Sequence, residues 1–539
     1  MVVVPLIPAI VGLSIPQIFF NRSIADFVPR LSDELVYTLE ARGFAEVGLD
    51  TGYFVYNERP ALVKASRFGY HGPIFPILLG CWAKIWGWSL SSGVTFNLFV
   101  VTASLALFVS VVPLSGVRLA LLGAFLATFW PMHFNNSFAM QESLHYAFAL
   151  IIACLFHRLL EKGADQALTF RAAVVALLMC FAVIRPSWVM LLFPAMILGR
   201  TKKGTRQVAL ALVVTGILAV VVVWGWLALS APWPVDVRLE GTFGLKYGLG
   251  EILDYTTRNL RALAASCAPS CRPWEALWLA NRRQMFLIMA WCLGLAALRV
   301  LPPRLKPRFF LPEWQLPIQE PLFHLYNIGT IVFSICVLYK VHEATDYRVS
   351  SPYVLLSAVL ILASRSRLSL ALGVLLILGN ALKTRDYVRF IPEHRLQYVD
   401  YDKQRVEDFR AAVSPFVSYQ RGADPWCNTA LSCNMTWVYY ELAGLPAGVG
   451  VSMLYSWERT AQPLKSRFIL LDIGRFRETN EFSAPITSTT VGDGGTWIQF
   501  GEVGAVNVRR LAQTPVGALY LNLDARCPLS GDRPRDGGR

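Results

Sequence analysis

Long apolar runs separated by short polar segments occupy most of this 539-residue chain. The run at residues 208–229 is long enough to cross a hydrocarbon core of about 30 Å, which takes roughly 20 helical residues. The pattern predicts a polytopic α-helical membrane protein with about eleven transmembrane helices. The predicted spans are residues 2–20, 94–113, a helix beginning near Arg118, 141–156, 171–184, 187–199, 207–229, 284–300, 320–340, 352–364 and 368–383.

The run at residues 73–88 is predicted to lie in the outer membrane interface instead of crossing the membrane. It is short and contains Lys84 and three tryptophans, side chains that favour the boundary between lipid and water. A span here would also place the next helix on the wrong side. The first run, residues 2–20, has neither a basic segment nor a small-residue cleavage site, so we expect a retained helix.

The composition supports this picture. Charged residues make up 16% of the chain and the mean hydropathy is +0.45, whereas a soluble domain carries roughly 25% charged residues. The sequence contains no phosphate-binding glycine loop, so an ATP-driven pump is not favoured, and no dinucleotide-binding glycine motif follows a predicted strand.

Basic residues concentrate in short loops between the apolar runs and set the predicted orientation. These loops are residues 200–206, 299–308 and 365–367. Short basic loops mark the cytoplasmic side, so the net charge of +14 reflects topology, and we expect no nucleic-acid partner. The large outer loops are then residues 21–92 and 230–283. We expect a bacterial inner (plasma) membrane protein whose C-terminal domain lies in the periplasm or outside.

The chain becomes mixed in character after the last apolar run. We expect a transmembrane domain over residues 1–385 and an extracytoplasmic α/β domain over residues 386–539, which is long enough for its own core. The predicted elements of this domain are a helix within residues 402–420, strands at 467–474 and 496–503, and a glycine-rich turn at 492–495.

Four cysteines lie as close pairs in polar segments. Cys267 with Cys271 and Cys427 with Cys433 are candidate disulfides if these segments face an oxidising compartment. The alternative is that all four are free thiols. A zinc site needs four ligands, and no second pair of cysteines or histidines lies near either pair.

The first outer loop carries two adjacent carboxylates, Asp33 and Glu34, at the start of a helical pattern over residues 32–46. A carboxylate at the outer interface can accept a proton from a hydroxyl or an amine, or hold a metal ion against a phosphate. The alternative is an ordinary helix N-terminus, where a serine followed by acidic residues caps the first turn.

The order of features in this loop resembles the GT-C superfamily of integral membrane glycosyltransferases. Members such as the aminoarabinose transferase of lipid A and the protein O-mannosyltransferases carry an acidic motif in the first outer loop, which SDE at residues 32–34 matches. A basic residue before a proline-containing interfacial helix follows in that family. FGYHGPIFP at residues 68–76 takes this place, with His71 where relatives have a lysine. The candidate contacts to a donor phosphate in this segment are Lys64, Arg67 and His71.

Three later positions continue the resemblance, which covers roughly residues 1–385. Glu142 opens a predicted helix in an outer loop, Arg185 precedes a proline in the middle of the module, and Arg348 lies before a proline at the mouth of a late helix. Each position also has a plainer explanation. Glu142 could be a helix N-terminal charge, Arg185 a helix-turn anchor, and Arg348 a snorkelling interface residue.

The resemblance implies direct transfer of a sugar from a polyprenyl phosphate, with inversion at the anomeric carbon. Asp33, beside Glu34, would supply the base, and Arg348 with a second cation would bind the departing phosphate. Glu142 and Arg185 would orient the acceptor. Asp33 and Glu142 are also candidate ligands for Mg²⁺ or Mn²⁺, since one acidic pair suits a base or a metal ligand. The acceptor stays open between a glycolipid, a polysaccharide and a protein.

Two other functions stay open. A transporter or flippase of lipid-linked glycans would usually carry ionisable or helix-breaking residues in mid-membrane, whereas the charges here cluster at the predicted outer ends of helices. A non-catalytic membrane assembly protein would have no reason to gather Asp33, Glu142 and Arg348 in one cavity. We expect the C-terminal domain to cover or extend the acceptor site.

Overall fold

The chain is seen in a computed structural model that describes most of its apolar runs and much of its C-terminal part. The described residues are 3–29, 32–49, 54–56, 72–162, 168–198, 204–229, 249–264, 273–300, 318–338, 347–391, 402–432, 440–453, 464–471, 486–491, 495–500 and 504–527. The predicted site or disulfide residues that lie outside them are Lys64, Arg67, His71, Cys267, Cys271 and Cys433.

Helices dominate the described residues. In chain order they are α1 Val3–Phe20, α2 Ser32–Val47, α3 Ile74–Trp86, α4 Ser92–Val111, α5 Gly116–Thr128, α6 Trp130–Asn136, α7 Glu142–Lys162, α8 Leu168–Ile184, α9 Leu192–Ile197, α10 Thr205–Leu229, α11 Leu249–Ala264, α12 Pro273–Val300, α13 Gln319–Phe333, α14 Tyr347–Ala363, α15 Arg367–Phe390 and α16 Lys403–Val413. A 3-10 turn, Pro186–Leu191, joins α8 to α9, and a π-helical turn, Ser334–Leu338, follows α13.

One mixed sheet holds the strands. They are β1 Phe54–Tyr56, β2 Thr429–Ser432, β3 Gly450–Met453, β4 Phe468–Leu471, β5 Ile486–Val491, β6 Gly495–Phe500, β7 Gly504–Thr514 and β8 Gly517–Asn522. The spatial order is β1-β3-β2-β4-β8-β7-β6-β5, parallel from β1 to β4 and antiparallel from β4 to β5. The predicted α/β character and the predictions of α16, β4 and β6 are confirmed. The predicted turn between β5 and β6 lies largely outside the described residues.

The chain divides into two compact units. The helical unit contains residues 1–22, 94–227 and 235–395, and the sheet unit contains residues 23–93, 228–234 and 396–539. The C-terminal part of the sheet unit begins at residue 396. The first outer loop, however, belongs with the C-terminal residues and not with the membrane helices, because its strand β1 pairs in parallel with β3.

Among the described residues, five helices are long and apolar enough to span a membrane, or six if the bent pair α5 and α6 is one span. These are α1, α4, α7, α10 and α15. The prediction of eleven spans is wrong for the described residues. The runs expected to span near α8, α13 and α14 form helices of 17, 15 and 17 residues. The run at 187–199 forms a 3-10 turn and a helix of 6 residues, and α12 carries Arg282 and Arg283 within its length. Apolar composition indicates which segments are buried, but it does not indicate where the backbone bends and a helix ends.

Helix α7 is the enclosed centre of the helical unit. Its span-length window is 78% buried, whereas that of α10 is 17% buried. It packs along α14, and α6 and α8 also contact it. Helix α7 starts at Glu142, as predicted, and an acidic residue in the first turn interacts favourably with the helix dipole. The N-terminal end of α7 therefore places a carboxylate inside the unit.

The sheet unit is built around a core between α16 and one face of the sheet. Val406, Phe409 and Val413 recur at helical spacing on α16 and pack against strand residues such as Phe468 and Leu470. Helix α2 joins the same core through its own apolar residues. These are Leu35, Val36 and Leu39. The core of the sheet unit thus holds α2 in place, and with it the acidic first turn of that helix.

Helices α2 and α3 approach each other closely. The rings of Tyr37 and Phe75 meet edge to face with centroids 4.9 Å apart, and Lys84 Nζ lies 4.7 Å from the centroid of the Phe44 ring. Gly80 lies against the backbone of α2. Helix α3 has 13 residues, fewer than a membrane-spanning helix needs, and it is not among the described helices that are long and apolar enough to span. Its place in the interface stays a prediction.

One disulfide joins the two ends of the C-terminal segment. Cys427 bonds to Cys527, 100 residues later, with Cα atoms 5.5 Å apart. The predicted pairing of Cys427 with Cys433 is therefore wrong. Cys427 lies two residues before β2, and Cys527 lies five residues after β8. The sheet brings these two positions together, whereas proximity in sequence favoured Cys433.

We expect Gly80→Ala to destabilise the sheet unit by about 1–3 kcal/mol, because the added Cβ would overpack a close helix contact. That Cβ would lie 2.8 Å from the Ala41 carbonyl oxygen and 2.6 Å from Phe44 Cδ1. Thermal unfolding in detergent measures the change in Tm. Gly216→Ala on α10 is the control, since a Cβ there meets nothing within 4 Å. An unchanged Tm for Gly80→Ala would contradict the close α2–α3 packing.

We also expect Cys427→Ser to lower the free energy of unfolding by about 2–5 kcal/mol, because the disulfide closes a long loop in the unfolded chain. Thermal unfolding measures the loss, and peptide mapping without reductant should recover Cys427 linked to Cys527. Cys81→Ser removes a free cysteine from the same unit and should leave Tm unchanged. A peptide linking Cys427 to Cys433 would refute the pairing.

Candidate functional site

Three of the predicted site residues meet at helix ends in the helical unit. Glu142 opens α7, Arg185 follows the last residue of α8, and Arg348 is in the first turn of α14. Arg185 Nη2 lies 3.7 Å from Glu142 Oε1, and Arg185 Nη1 donates to the Arg348 carbonyl oxygen at 3.3 Å. The predicted break at Arg185 is confirmed, since the helix stops there and the proline begins a 3-10 turn. Arg185 thus connects the other two segments.

Glu142 and Arg185 are both buried, with 6% and 9% of their surfaces exposed. Their separation is within ion-pair range but too long for a good hydrogen bond. The second carboxylate oxygen, Glu142 Oε2, makes no hydrogen bond within the described residues. A buried carboxylate costs free energy unless it is paired and hydrogen-bonded. This one keeps an oxygen available to a ligand or a water molecule.

Further polar atoms at the same end of α7 are buried without a hydrogen-bond partner in the described part of the chain. They are Asn136 Nδ2, Gln141 Oε1 and His145 Nε2. Asn136 is tied to α7, because Ser143 Oγ donates to Asn136 Oδ1 at 2.8 Å. Buried polar groups in native proteins almost always find partners. This concentration of donors and acceptors around Glu142 therefore favours a polar ligand.

His145 was missed in the sequence analysis. Trp188 Nε1 donates to His145 Nδ1 at 3.2 Å, so the neutral imidazole carries its proton on Nε2. The Trp188 ring stacks on Tyr353 with centroids 4.5 Å apart, and the Tyr353 hydroxyl donates to Ser187 Oγ at 2.7 Å. The ring of His145 is thus held by Trp188 of the 3-10 turn, and Tyr353 of α14 supports Trp188 in turn. Its spacing of three residues from Glu142 puts both on one face of α7, and this spacing was visible in the sequence.

Tyr146 links the start of α7 to the start of α14. Its hydroxyl accepts a hydrogen bond from Asn135 Nδ2 at 2.7 Å and shares one with Ser351 Oγ at 2.9 Å. Ser351 lies one helical turn after Arg348. The hydrogen bonds of Tyr146 therefore fix the part of α14 that carries Arg348.

Asp33 and Glu34 belong to the sheet unit, in the first turn of α2. Glu34 is fully buried, whereas Asp33 is partly exposed. A base must reach a proton on its substrate, so the accessible Asp33 suits this role better than Glu34. Both also suit the plainer explanation, because acidic side chains in a first helical turn stabilise the helix.

A metal ion held by Asp33 and Glu142 gains no support from the described residues. No three His, Cys, Asp or Glu side chains gather there in a way that could hold a metal. The Arg185 guanidinium beside Glu142 also repels a cation at that carboxylate. We therefore assign no step to a metal.

Comparisons of this chain with protein families, with curated proteins and with solved structures find no match. The interpretation of the site therefore depends on its own residues and geometry.

We expect Glu142→Gln and Arg185→Gln each to destabilise the protein by roughly 3 kcal/mol, because each leaves a buried charge unpaired. The double variant should cost less than the sum of the two, with a coupling energy of about 1–3 kcal/mol. Thermal unfolding in detergent measures all four proteins.

The control is the Glu161–Arg365 pair at the other end of α7. Its Nη2–Oε1 distance is 3.2 Å, but the Arg365 side chain is 84% exposed. An exposed pair of this kind contributes at most about 1 kcal/mol. Strict additivity of Glu142→Gln and Arg185→Gln would mean that the two side chains do not interact.

Proposed function

We propose that this protein is a membrane glycosyltransferase that moves a sugar from a polyprenyl-phosphate donor to an acceptor on the outer face of the membrane. The acceptor is a glycolipid, a polysaccharide or a protein. The observation that carries the proposal is the contact of Arg185 with both Glu142 and Arg348 inside the helical unit. It joins the Arg185 guanidinium, the Glu142 carboxylate and the backbone of Arg348 where polar atoms concentrate, which suits an anionic donor and a hydroxyl acceptor.

The reaction would need few parts. The acceptor oxygen attacks the anomeric carbon of the sugar, its proton passes to a carboxylate, and the bond from the anomeric carbon to the phosphate oxygen breaks. The family resemblance gives the role of this carboxylate to Asp33. The leaving group is the polyprenyl phosphate. Attack from the face opposite the leaving group inverts the anomeric configuration. The bond changes balance between the donor and the acceptor, and no oxidant or reductant is needed.

Arg348 would stabilise the phosphate as negative charge grows on its bridging oxygen, because a guanidinium offers a fixed fork of donors. Arg185 holds the backbone of Arg348 through a hydrogen bond and would act as a positioning residue. Glu142 would orient the hydroxyl of the sugar acceptor through Oε2. His145 Nε2 would donate a hydrogen bond to an oxygen of either substrate. Lys64, Arg67 and His71 stay candidates for further contacts to the phosphate.

The disulfide supports an extracytoplasmic location for the sheet unit. Disulfides persist in oxidising compartments and are rare in the cytosol, and Cys427–Cys527 belongs to this unit. The basic loops predicted for the cytoplasmic side agree with this orientation. A bacterial inner membrane with the sheet unit in the periplasm remains our proposal for the location.

A transporter of lipid-linked glycans is the second candidate, because several helices in the helical unit are broken. Helices α5 and α6 meet at 59°, and a π-helical turn follows α13. Buried amides also face one another between α12 and α15, where Gln284 Nε2 donates to Asn380 Oδ1. Discontinuous helices and buried polar groups are typical of transport sites.

We expect the purified protein to release free polyprenyl phosphate from one member of a panel of polyprenyl-phosphate sugars, with transfer of the sugar to an acceptor. Asp33→Asn should lower the rate by about 10²–10⁴-fold, because the general base is lost. Glu142→Gln should also lower it. Glu46→Gln is the matched control on the same helix, since the Glu46 side chain is 46% exposed in its pair with Arg42 and an exposed carboxylate contributes little.

The outcomes separate the two candidates. Equal release by the wild type and Asp33→Asn would return Asp33 to the role of a helix-capping acid. No release by folded protein with any donor would contradict the transferase. Movement of the intact donor across a vesicle membrane without cleavage would then establish the transporter.

A further inference from the structure

A buried cation in the sheet unit lacks a counter-ion within the described part of the chain. Arg467 directly precedes β4, and 7% of its surface is exposed. Its Nε and Nη1 atoms are buried and donate no hydrogen bond there. Burial lowers the pKa of this guanidinium from its ordinary value, but an arginine side chain keeps its charge in a folded protein. The Arg467 Cζ atom lies 5.4 Å from the centroid of the Phe468 ring. The side chain is therefore a buried positive charge whose Nε and Nη1 donors have no hydrogen-bond partner within the described residues.

The carboxylates on the adjoining segments are already engaged. The backbone of Arg467 donates to the Trp426 carbonyl oxygen at 3.0 Å and accepts from the Asn522 amide at 2.8 Å. Asp424, two residues before Trp426, uses Oδ1 to accept from the Trp426 amide at 2.9 Å. Asp524, two residues after Asn522, uses Oδ2 to accept from the backbone amide of Asn507 at 2.8 Å. Asp424 thus caps the 3-10 turn Pro425–Asn428, and Asp524 bonds a backbone amide of β7.

The segment that carries Arg467 is held firmly. Asn522 Nδ2 donates to the carbonyl oxygens of Leu464 at 3.2 Å and Ser466 at 3.0 Å. The disulfide between Cys427 and Cys527 ties the two adjoining segments to each other. The backbone around Arg467 therefore cannot shift far to bring the guanidinium into water.

A second cation and an aromatic ring lie beside this arginine in the fold. Lys465 Nζ is 5.5 Å from the centroid of the Trp426 ring, and the Trp426 carbonyl oxygen binds the Arg467 backbone. Two positive charges thus lie next to the amino end of β4, a strand that pairs with β2 on one side and β8 on the other. An isolated buried charge is costly unless a partner is supplied.

We propose that Arg467, with Lys465, binds an oxyanion group of a ligand, a carboxylate or a phosphate, at the amino end of β4. The planar guanidinium suits such a group because its donors match two oxygens at once. The site lies in the sheet unit and does not depend on the proposed transferase activity. A sugar acid and a phosphorylated ligand share this chemistry, and the experiment separates them.

Isothermal titration of the full-length protein in detergent tests the proposal, with glucuronate and inorganic phosphate as probes and glucose as the uncharged control, at constant ionic strength. We expect one or both anions to bind and glucose not to bind. Arg467→Gln should weaken binding roughly tenfold or more, since it removes charge-assisted hydrogen bonds. Arg467→Lys should weaken binding less, because lysine keeps the positive charge and loses only the paired donors of the planar guanidinium.

Arg509→Gln is the control, since Arg509 is an exposed arginine of the same unit. This variant should bind the anions as the wild type does. The Tm of each variant and recovery of its Cys427–Cys527 peptide show whether it is folded. If Arg467→Gln does not fold, Arg467→Lys is the variant compared with the wild type. Binding of glucuronate alone would support a sugar acid, and binding of phosphate alone would support a phosphorylated ligand. Absence of anion binding, or equal binding by wild type and both Arg467 variants, would overturn the site.

Discussion

The arrangement of the helical unit depends on one buried guanidinium. Arg185 lies where a helix stops, and its charge is stabilised by Glu142 from the start of α7 and by the carbonyl oxygen of Arg348 from the start of α14. A buried cation without such partners would be costly. Three helix ends therefore meet at one place, and the polar ends of His145 and Tyr146 gather with them. The same constraint that stabilises the fold also concentrates the chemistry.

The surroundings of the buried arginine in the sheet unit are different. The buried Arg467 of this unit is held by backbone hydrogen bonds, and the carboxylates of the adjoining Asp424 and Asp524 already accept hydrogen bonds from backbone amides. Arg185 has its carboxylate within the protein, whereas Arg467 keeps donors for a group from outside. The first is suited to orienting neighbours in a site, and the second is suited to binding an anion directly.

Helix α2 shows how one short segment serves both stability and chemistry. Its apolar residues enter the core of the sheet unit, and its contact with α3 leaves no room for a side chain at Gly80. These contacts keep its first turn in place and leave Asp33 accessible while Glu34 is buried. Burial thus separates two adjacent carboxylates that look equivalent in the sequence, and the transferase proposal needs only the accessible one.

The sequence by itself determined what depends on neighbouring residues. The helix start at Glu142, the break at Arg185, the helix α16 and the strands β4 and β6 follow from local periodicity, prolines and charges. Tertiary structure decided the rest. The count of spans, the pairing of Cys427 with Cys527, the strand that the first loop adds to the sheet, and the contact of His145 with Trp188 all depend on residues far apart in the chain. Their proximity results from packing of whole elements, and neither hydrophobic spacing nor a short motif records it.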